Sequence, residues 1–219
     1  PGNILLQNHD GKFVKFESFI TDKPVVLNFA YYTCPKLCHL ITDSLARLIS
    51  LYPEKKLSDF QILTISFDKR DNLTTLNAFR DKYISKLNEV ERDKVNWEFL
   101  IADEENIKEL TNSVGYNFYF NKKSEQYSHP SVLIFLSPLS KVTRYLYGIV
   151  FDMFDFKLSL YESKKNNTLS SVESMLLFCY NYDPDEKGYV IEAVRLMKAG
   201  GVLTVLFLFT FIYKLSRNE

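Results

Sequence analysis

The sequence has few cysteines, no surplus of either charge, and no repeated or low-complexity segment. Three cysteines in 219 residues are too few for the disulfide framework of a small secreted scaffold. Lys and Arg together number 27, as do Asp and Glu, so the formal net charge is zero. A chain without net positive charge or a dense basic patch is a poor candidate for binding nucleic acid. With 46% hydrophobic residues, the chain can bury one core and carry a further segment outside it.

Two of the three cysteines, Cys34 and Cys38, follow directly on an apolar run, Val25–Ala30. The β-branched content of that run predicts a buried strand, and the apolar spacing after it predicts a helix, so both thiols fall at a strand-to-helix turn. Pro35 suits the first helical position, which would place Cys34 at the cap beside unpaired backbone N–H groups. The helix dipole would then lower the pKa of Cys34 and favour the thiolate. Cys38 follows one turn later on the same face, so both sulfurs can point at one spot.

This Cys-x-x-x-Cys pattern is compatible with two kinds of chemistry. Two soft sulfur donors at a fixed separation suit Cu(I) or Zn, and the same pair can form a reversible disulfide. The pattern has one more intervening residue than the Cys-x-x-Cys of thioredoxins, which gives a wider bite that a metal could fill. The spacing alone does not choose between metal and disulfide.

The remaining apolar patterns predict an alternation of strands and helices. A hairpin is expected around the Asp-Gly pair near the start of the chain, because Asp-Gly between apolar runs is a hairpin signal. The further predicted elements are a helix ending before Pro53, a strand over 61–67, a helix over 73–87, an apolar segment over 97–101, a helix between Asp103 and Gly115, and paired strands over 131–136 and 142–147. This order indicates an α/β, thioredoxin-like fold, in which helices flank a mixed sheet that begins with an N-terminal hairpin.

Three features of the sequence resemble the Sco/SenC proteins. They are the stretch over 25–38, the Ser-Phe-Asp-Lys-Arg-Asp segment over 66–71, and His129 directly before a predicted strand. Members of that family are thioredoxin-fold copper-binding proteins that help to assemble the binuclear CuA centre of cytochrome c oxidase. The resemblance spans most of residues 4–150.

The resemblance implies a ligand set, a cofactor and a partner. Cys34, Cys38 and His129 are the implied copper ligands, for Cu(I), Cu(II) or both. The implied partner is cytochrome c oxidase subunit II or a similar copper-receiving protein. Lys69 departs from the family pattern, which commonly has proline after the aspartate, and this concerns the local loop shape rather than the ligands.

His129 and Pro130 lie in the loop before the penultimate strand of the predicted sheet. In a thioredoxin-like fold this loop faces the cysteine turn, so an imidazole here can complete a site with two sulfurs. Pro130 occupies the place where thioredoxins hold a cis proline, and we expect the His129-Pro130 bond to be cis, so that Pro130 supports the site by aiming the imidazole at the thiols. Two thiolates and one neutral imidazole suit Cu(I), whereas zinc usually takes a fourth ligand.

Other polar residues near these motifs are given more ordinary roles. Asp68 ends the predicted strand nearest the cysteine turn and could tune the site through an outer-shell hydrogen bond, although an aspartate here is also typical of a turn or cap. Arg70 and Asp71 are interpreted as a solvated turn. His39 adjoins Cys38 but points about 100° around the helix from it, so we do not expect it to bind a metal.

The C-terminal part of the sequence contains an uncharged apolar run over 200–212, which extends to 196–215 if Lys198 and Lys214 snorkel towards the membrane surface. At about 20 residues, or roughly 30 Å of helix, it is long enough to span a bilayer. We therefore predict a thioredoxin-like copper-binding domain over 1–165, a connecting segment over 166–193, and a transmembrane anchor with a short tail over 194–219. Cys179, in the connecting segment, is interpreted as a small buried thiol. The resemblance extends to a bacterial subgroup anchored at its C-terminus and implies a membrane-anchored copper domain on the periplasmic side.

Two functions remain open at this point. The first is a copper chaperone without catalytic turnover. The second is a membrane-anchored thiol-disulfide oxidoreductase that reduces the oxidase cysteines, with Cys34 as the attacking thiolate and Cys38 as the resolving thiol. The two differ in their need for His129. A peroxidase is less favoured, because nothing in the sequence marks a peroxide pocket.

Overall fold

The structure is a computed structural model that describes residues 4–123, 125–165, 180–183 and 188–191. The chain divides into two compact units, with the boundary between residues 168 and 169. The division into domain, connecting segment and anchor stays a prediction.

The described part of the first unit contains nine strands, seven of which form one mixed sheet. In chain order the strands are β1 (Leu5–Asn8), β2 (Phe13–Lys15), β3 (Val25–Ala30), β4 (Gln61–Ser66), β5 (Asn96–Ile101), β6 (Tyr119–Asn121), β7 (Gln126–Ser128), β8 (Val132–Leu136) and β9 (Val142–Tyr147). The order in the sheet is β2-β1-β5-β4-β3-β8-β9, while β6 and β7 form a separate hairpin. β3 runs parallel to β4 and antiparallel to β8. The mixed sheet and the N-terminal hairpin agree with the predicted architecture.

Five α-helices accompany these strands. They are α1 (Leu37–Leu51), α2 (Leu73–Ile84), α3 (Glu89–Lys94), α4 (Glu104–Ser113) and α5 (Met153–Lys164). Asn72 caps α2 by accepting backbone N–H groups of its first turn, and Asp103 caps α4 in the same way. The predicted strands and the first, second and fourth helices are therefore present, within a few residues of their expected bounds.

The first helix begins later than the sequence predicts. Its N-cap is Lys36, so neither Pro35 nor Cys34 holds the predicted position. The Cys34 amide instead donates to the Tyr31 carbonyl at 3.0 Å, which closes a separate turn between β3 and the helix. Because this turn comes first, Cys38 lies in the first helical turn and Cys34 precedes it.

Among the strands and α-helices described in the first unit, α3, α5 and the β6–β7 hairpin were not predicted. In α5 the buried positions include Asp155, Ser159, Glu162 and Ser163, so the face that packs on the protein is partly polar. A helix whose buried face carries charged and hydroxyl groups does not show the apolar spacing that identifies an amphipathic helix. β6 and β7 are only three residues each, too short for a strand pattern to emerge.

A buried polar network connects the centre of the sheet to the cysteine helix. The Asn28 amide donates to the hydroxyls of Thr42 at 3.2 Å and Thr64 at 3.3 Å. Thr42 in turn donates to the Cys38 carbonyl at 2.7 Å. Since buried polar groups are costly unless they are paired, this network fixes the first turn of α1 against β3 and β4.

The second unit contains one described pair of antiparallel strands, β10 (Tyr180–Asp183) and β11 (Gly188–Ile191). Cys179 and the predicted anchor over 194–219 lie outside the described residues. Within the part of the chain that the structure describes, no helix combines the length and apolar character needed to cross a membrane.

Candidate metal centre

The two cysteines lie side by side between the end of β3 and the start of α1. Both are free thiols, and both are buried. The Cys38 amide, in the first turn of α1, donates to the Cys34 sulfur at 3.4 Å. The predicted contact between Cys34 and the unpaired N–H groups of the helix therefore exists, although Cys34 is not the cap residue.

The two thiols differ strongly in acidity. The pKa of Cys34 is lowered to about 4, first by a hydrogen bond from the Cys38 thiol and then by the backbone N–H groups of Cys38 and Lys36. The pKa of Cys38 is raised far above its usual value, because its thiol donates to Cys34 and because it is buried. The predicted thiolate at Cys34 is thus supported, with the neighbouring thiol as the main cause. The pair consists of one thiolate and one thiol at neutral pH.

This asymmetry predicts an unusual pH dependence of alkylation. Cys34 should react with iodoacetamide at a rate that stays nearly constant between about pH 5.5 and 8, because its thiolate is fully formed across that range. An ordinary thiol with a pKa near 8.5 slows about tenfold for each pH unit below it. Mass spectrometry of the labelled peptides at each pH measures the rate separately for Cys34 and Cys38.

The Cys38→Ala variant is the control for this measurement. It removes the thiol that donates to Cys34, so the reactivity profile of Cys34 should move to higher pH. A Cys34 rate in the wild-type protein that rises tenfold per pH unit would contradict the assignment of the thiolate.

His129 reaches the cysteine pair from the loop before β8. Its Nε2 atom lies 3.7 Å from the Cys38 sulfur. The His129-Pro130 bond is trans, so the expectation of a cis bond was wrong. The imidazole reaches the thiols without it, because the chain between β7 and β8 already delivers His129 beside the cysteine turn.

The separation between Cys38 and His129 fits two ligands of one metal ion. Sulfur and nitrogen donors bind zinc at about 2.3 and 2.0 Å, and such bonds at an angle near 120° place the two donor atoms roughly 3.7 Å apart. No three His, Cys, Asp or Glu side chains of the described residues already surround one point at metal-binding distances. Cys38 and His129 lie at a separation that suits two ligands of one ion, and Cys34 adjoins Cys38 through the Cys38 amide.

The far side of the His129 ring is also engaged. Its Nδ1 atom lies 3.1 Å from the Pro130 carbonyl oxygen and 3.0 Å from the Tyr116 hydroxyl. Burial lowers the pKa of His129 below its ordinary value, so the imidazole is neutral at neutral pH and free to act as a ligand. Pro130 thus contacts the site through its carbonyl group. Tyr116 was missed by the sequence reasoning, and the only signal there was its position after the glycine that ends α4.

Aromatic rings enclose the imidazole. Phe67 lies 5.1 Å from His129 between ring centroids, and Tyr31 meets it edge-on at 6.1 Å. Tyr127 packs against both Tyr31 and Phe67, at 5.4 and 5.3 Å. These rings exclude water from one side of the site and so strengthen the polar contacts within it.

Asp68 lies behind this aromatic wall. Its carboxylate accepts hydrogen bonds from the Arg70 guanidinium, at 2.6 Å for the shortest, and from the Tyr127 hydroxyl at 3.3 Å. Asp68 therefore contacts the site through Tyr127 and not through Cys34, Cys38 or His129. Its role in tuning the site stays a prediction.

Asp71 is buried, which corrects its interpretation as part of a solvated turn. Its carboxylate accepts the Tyr32 amide at 2.7 Å and the Ser66 hydroxyl at 2.5 Å. Burial raises the pKa of Asp71, while these hydrogen bonds act in the opposite direction. The residue joins the end of β4 to the segment that enters the cysteine turn. Arg70 beside it is about half exposed, as a turn residue would be.

His39 faces away from the site, as the helical spacing predicts. Its Nδ1 atom lies 2.7 Å from the Tyr83 hydroxyl and 3.1 Å from the Lys82 ammonium group. The ring stacks on Phe79 at 5.2 Å. These contacts hold His39 against α2.

Comparison with known proteins gives one family and several similar structures. The family model described as SCO1/SenC matches residues 2–149. No curated protein sequence matches the chain. A protein from Aquifex aeolicus proposed to act in electron transfer is 26% identical, with a TM-score of 0.64 over 77% of this chain and 93% of that one.

Two further structures carry names that describe their chemistry. Arabidopsis thaliana ScoI with copper bound is 21% identical, with a TM-score of 0.58 over 75% of this chain and 98% of that one. BsSco, a member of the Sco family of cytochrome c oxidase assembly proteins with a disulfide switch, is 24% identical, with a TM-score of 0.56 over 76% of this chain and 92% of that one. At these sequence identities, the two similarities show only that the fold is shared.

Proposed function

Because this chain belongs to the SCO1/SenC family, we propose that it is a copper-binding protein that carries copper on Cys34, Cys38 and His129. The observation that carries this proposal is the 3.7 Å separation between His129 Nε2 and the Cys38 sulfur. These residues are 91 positions apart in the sequence, and a histidine in a loop has no structural need to meet a buried thiol. The copper bound in the Arabidopsis relative supports the choice of metal.

The protonation states of the three side chains suit a soft metal ion as cargo. Cys34 is a thiolate before any metal arrives, and His129 is neutral. Cys38 holds the one proton that binding must displace. Two sulfurs and one imidazole favour Cu(I), and a further position filled by water or a partner would allow Cu(II).

The proposed role is delivery of copper to a receiving protein in the assembly of cytochrome c oxidase, with the CuA centre of subunit II as the recipient. The description of BsSco as a member of a family of cytochrome c oxidase assembly proteins supports this role. We further propose that residues 194–219 anchor the protein in the membrane and that the copper domain faces the periplasm. The protein then acts by transfer of its cargo and not by catalytic turnover.

An anaerobic Cu(I) titration against a chromophoric chelator tests the proposed function. The wild-type protein should bind one copper ion tightly, and Cys34→Ser and Cys38→Ser should each weaken binding by about 100-fold or more, because a hydroxyl is a poor ligand for Cu(I). The third cysteine gives the matched control, since Cys179→Ser makes the same chemical change elsewhere in the chain. Equal loss of affinity in Cys179→Ser, or full affinity in either of the other two variants, would refute the ligand assignment.

A second candidate function is thiol-disulfide exchange, which the acidity difference between the two cysteines favours. In this reaction the Cys34 thiolate attacks a disulfide of a partner protein and forms a mixed disulfide, releasing one partner thiolate. Cys38 loses its proton and displaces the second partner thiolate, so the partner is reduced and Cys34-Cys38 becomes a disulfide. The disulfide switch described for BsSco supports retaining this alternative. The dependence on His129 separates the two functions.

A further inference from the structure

We propose that Tyr116 is a positioning residue that, together with the Pro130 carbonyl, keeps the proton of His129 on Nδ1 and presents an unprotonated Nε2 to the cysteines. The inference rests on the proposed function in one respect, because it concerns the imidazole of the proposed copper site. Its first test, however, needs no metal.

The contacts of Nδ1 determine where the proton lies. A carbonyl oxygen can only accept a hydrogen bond, so at 3.1 Å from the Pro130 oxygen Nδ1 must carry the hydrogen. With the proton on Nε2 instead, a bare Nδ1 would face the lone pairs of that oxygen. The Tyr116 hydroxyl lies 3.0 Å from the same Nδ1 atom, where it can accept from that N–H. It can then donate its own hydrogen to the Pro130 carbonyl, which lies 3.5 Å away.

The structure around Tyr116 holds its hydroxyl in place. Gly115 ends α4 with a φ of +66°, a conformation that glycine adopts without strain. The Tyr116 amide then donates back to the Thr111 carbonyl at 2.8 Å, which completes the helix C-cap. The Tyr116 ring packs on Phe29 at 4.6 Å and on Phe67 at 6.0 Å between centroids. A buried tyrosine hydroxyl needs a polar partner, and His129 and Pro130 supply it.

The tautomer matters because the Nε2 atom is the one that faces the sulfur. A proton on Nε2 would occupy the lone pair that a metal requires and would have to leave before binding. Hydrogen bonds to the remote nitrogen of a ligating histidine fix the ring and raise its basicity, and their loss typically costs about 10- to 100-fold in metal affinity. Tyr116 should contribute at the lower end of that range, since the Pro130 carbonyl remains.

Nitrogen-15 NMR of the imidazole in the metal-free protein tests the assignment. The two ring nitrogens have different shifts when protonated and unprotonated, so the wild-type spectrum should show a neutral His129 with its hydrogen on Nδ1. Tyr116→Phe removes one oxygen atom from a packed ring and should bring the two shifts closer together, as the second tautomer becomes populated. Tyr145→Phe is the matched control, because the Tyr145 hydroxyl donates to the Val114 carbonyl at 3.0 Å at the same helix end.

Copper competition on the same three proteins gives the second readout. Tyr116→Phe should bind Cu(I) about tenfold more weakly than Tyr145→Phe. A wild-type His129 with its proton on Nε2 would overturn the proposal without any variant. The proposal would also be overturned if the His129 nitrogen shifts or the Cu(I) affinity of Tyr116→Phe equalled those of the wild type or of Tyr145→Phe. If the wild-type protein binds no copper, the proposed function fails, and a wild-type spectrum with the proton on Nδ1 still supports the contact of Tyr116 with His129.

Discussion

Replacing His129 by alanine should lower the Cu(I) affinity of the protein by about 100-fold or more. The loss of an outer-shell hydrogen bond to a ligating histidine typically costs about 10- to 100-fold, and removal of the ligand itself should cost at least as much. The variant keeps both sulfurs, so weak binding should remain. Competition with a chromophoric chelator under anaerobic conditions measures the change.

The same variant discriminates between the two candidate functions. Thiol-disulfide exchange uses only the sulfurs, so the rate at which His129→Ala reduces a model disulfide should stay within a few-fold of the wild type. Unchanged copper affinity in His129→Ala would favour the oxidoreductase over the copper carrier. A strong loss of both properties would mean that the substitution disturbs the cysteine turn itself.

His39→Ala is the control for this experiment. His39 is the neighbour of Cys38 in the sequence, but its Nδ1 atom is engaged by Tyr83 and Lys82. We expect its copper affinity to stay within about twofold of the wild type, because no contact of His39 with the cysteine sulfurs occurs among the described residues. An equal loss in both histidine variants would point to a general effect of charge or packing and not to ligation.

The second large effect is expected from the buried ion pair that joins α5 to β9. Arg144 Nη1 lies 2.9 Å from Glu162 Oε2, and the two side chains are only 9% and 7% exposed. Removing one partner of a buried pair leaves the other charge without compensation, at a typical cost of about 3–5 kcal/mol. Arg144→Met should therefore lower the free energy of unfolding by about that amount. Urea unfolding can be followed by fluorescence of the single tryptophan, Trp97, which is buried.

Two comparisons keep this prediction specific to the ion pair. The double variant Arg144→Met with Glu162→Leu removes both charges and should regain much of the lost stability. Asp81→Asn removes an exposed partner of Arg80 and should change the free energy of unfolding by less than about 1 kcal/mol. A loss in Arg144→Met no larger than that of Asp81→Asn would show that the pair contributes little to holding α5 on the sheet.

The central strands and the cysteine turn were predictable because their signals are local. Val25–Ala30 and Gln61–Ser66 are rich in β-branched and other apolar residues, and both are buried strands in the sheet. The N-terminal hairpin follows from its Asp-Gly turn, and the cap Asp103 from residue type alone. Each of these features depends on the propensity of a few neighbouring residues, which the sequence shows directly.

Features that depend on packing between distant segments were predicted less well. Asp71 is buried because the Tyr32 amide and the Ser66 hydroxyl meet its carboxylate, and no local pattern reveals such partners. The buried face of α5 can carry Glu162 because Arg144 of β9 forms an ion pair with it. The helix α1 begins at Leu37, later than predicted, because the Cys34 amide first closes a turn with the Tyr31 carbonyl.

The sequence by itself determined the donor types of the candidate site: two cysteines four positions apart, and a histidine placed before a strand. The tertiary structure decided that the imidazole meets one of the sulfurs, with 3.7 Å between His129 Nε2 and the Cys38 sulfur, from residues 91 positions apart. It also decided which ring nitrogen faces the sulfur, because the Tyr116 hydroxyl and the Pro130 carbonyl contact Nδ1 on the other side of the ring. The reason is that the type of a donor atom is a property of one residue. The distance between donor atoms, and the ring nitrogen that carries the proton, depend on groups that only the folded chain brings together.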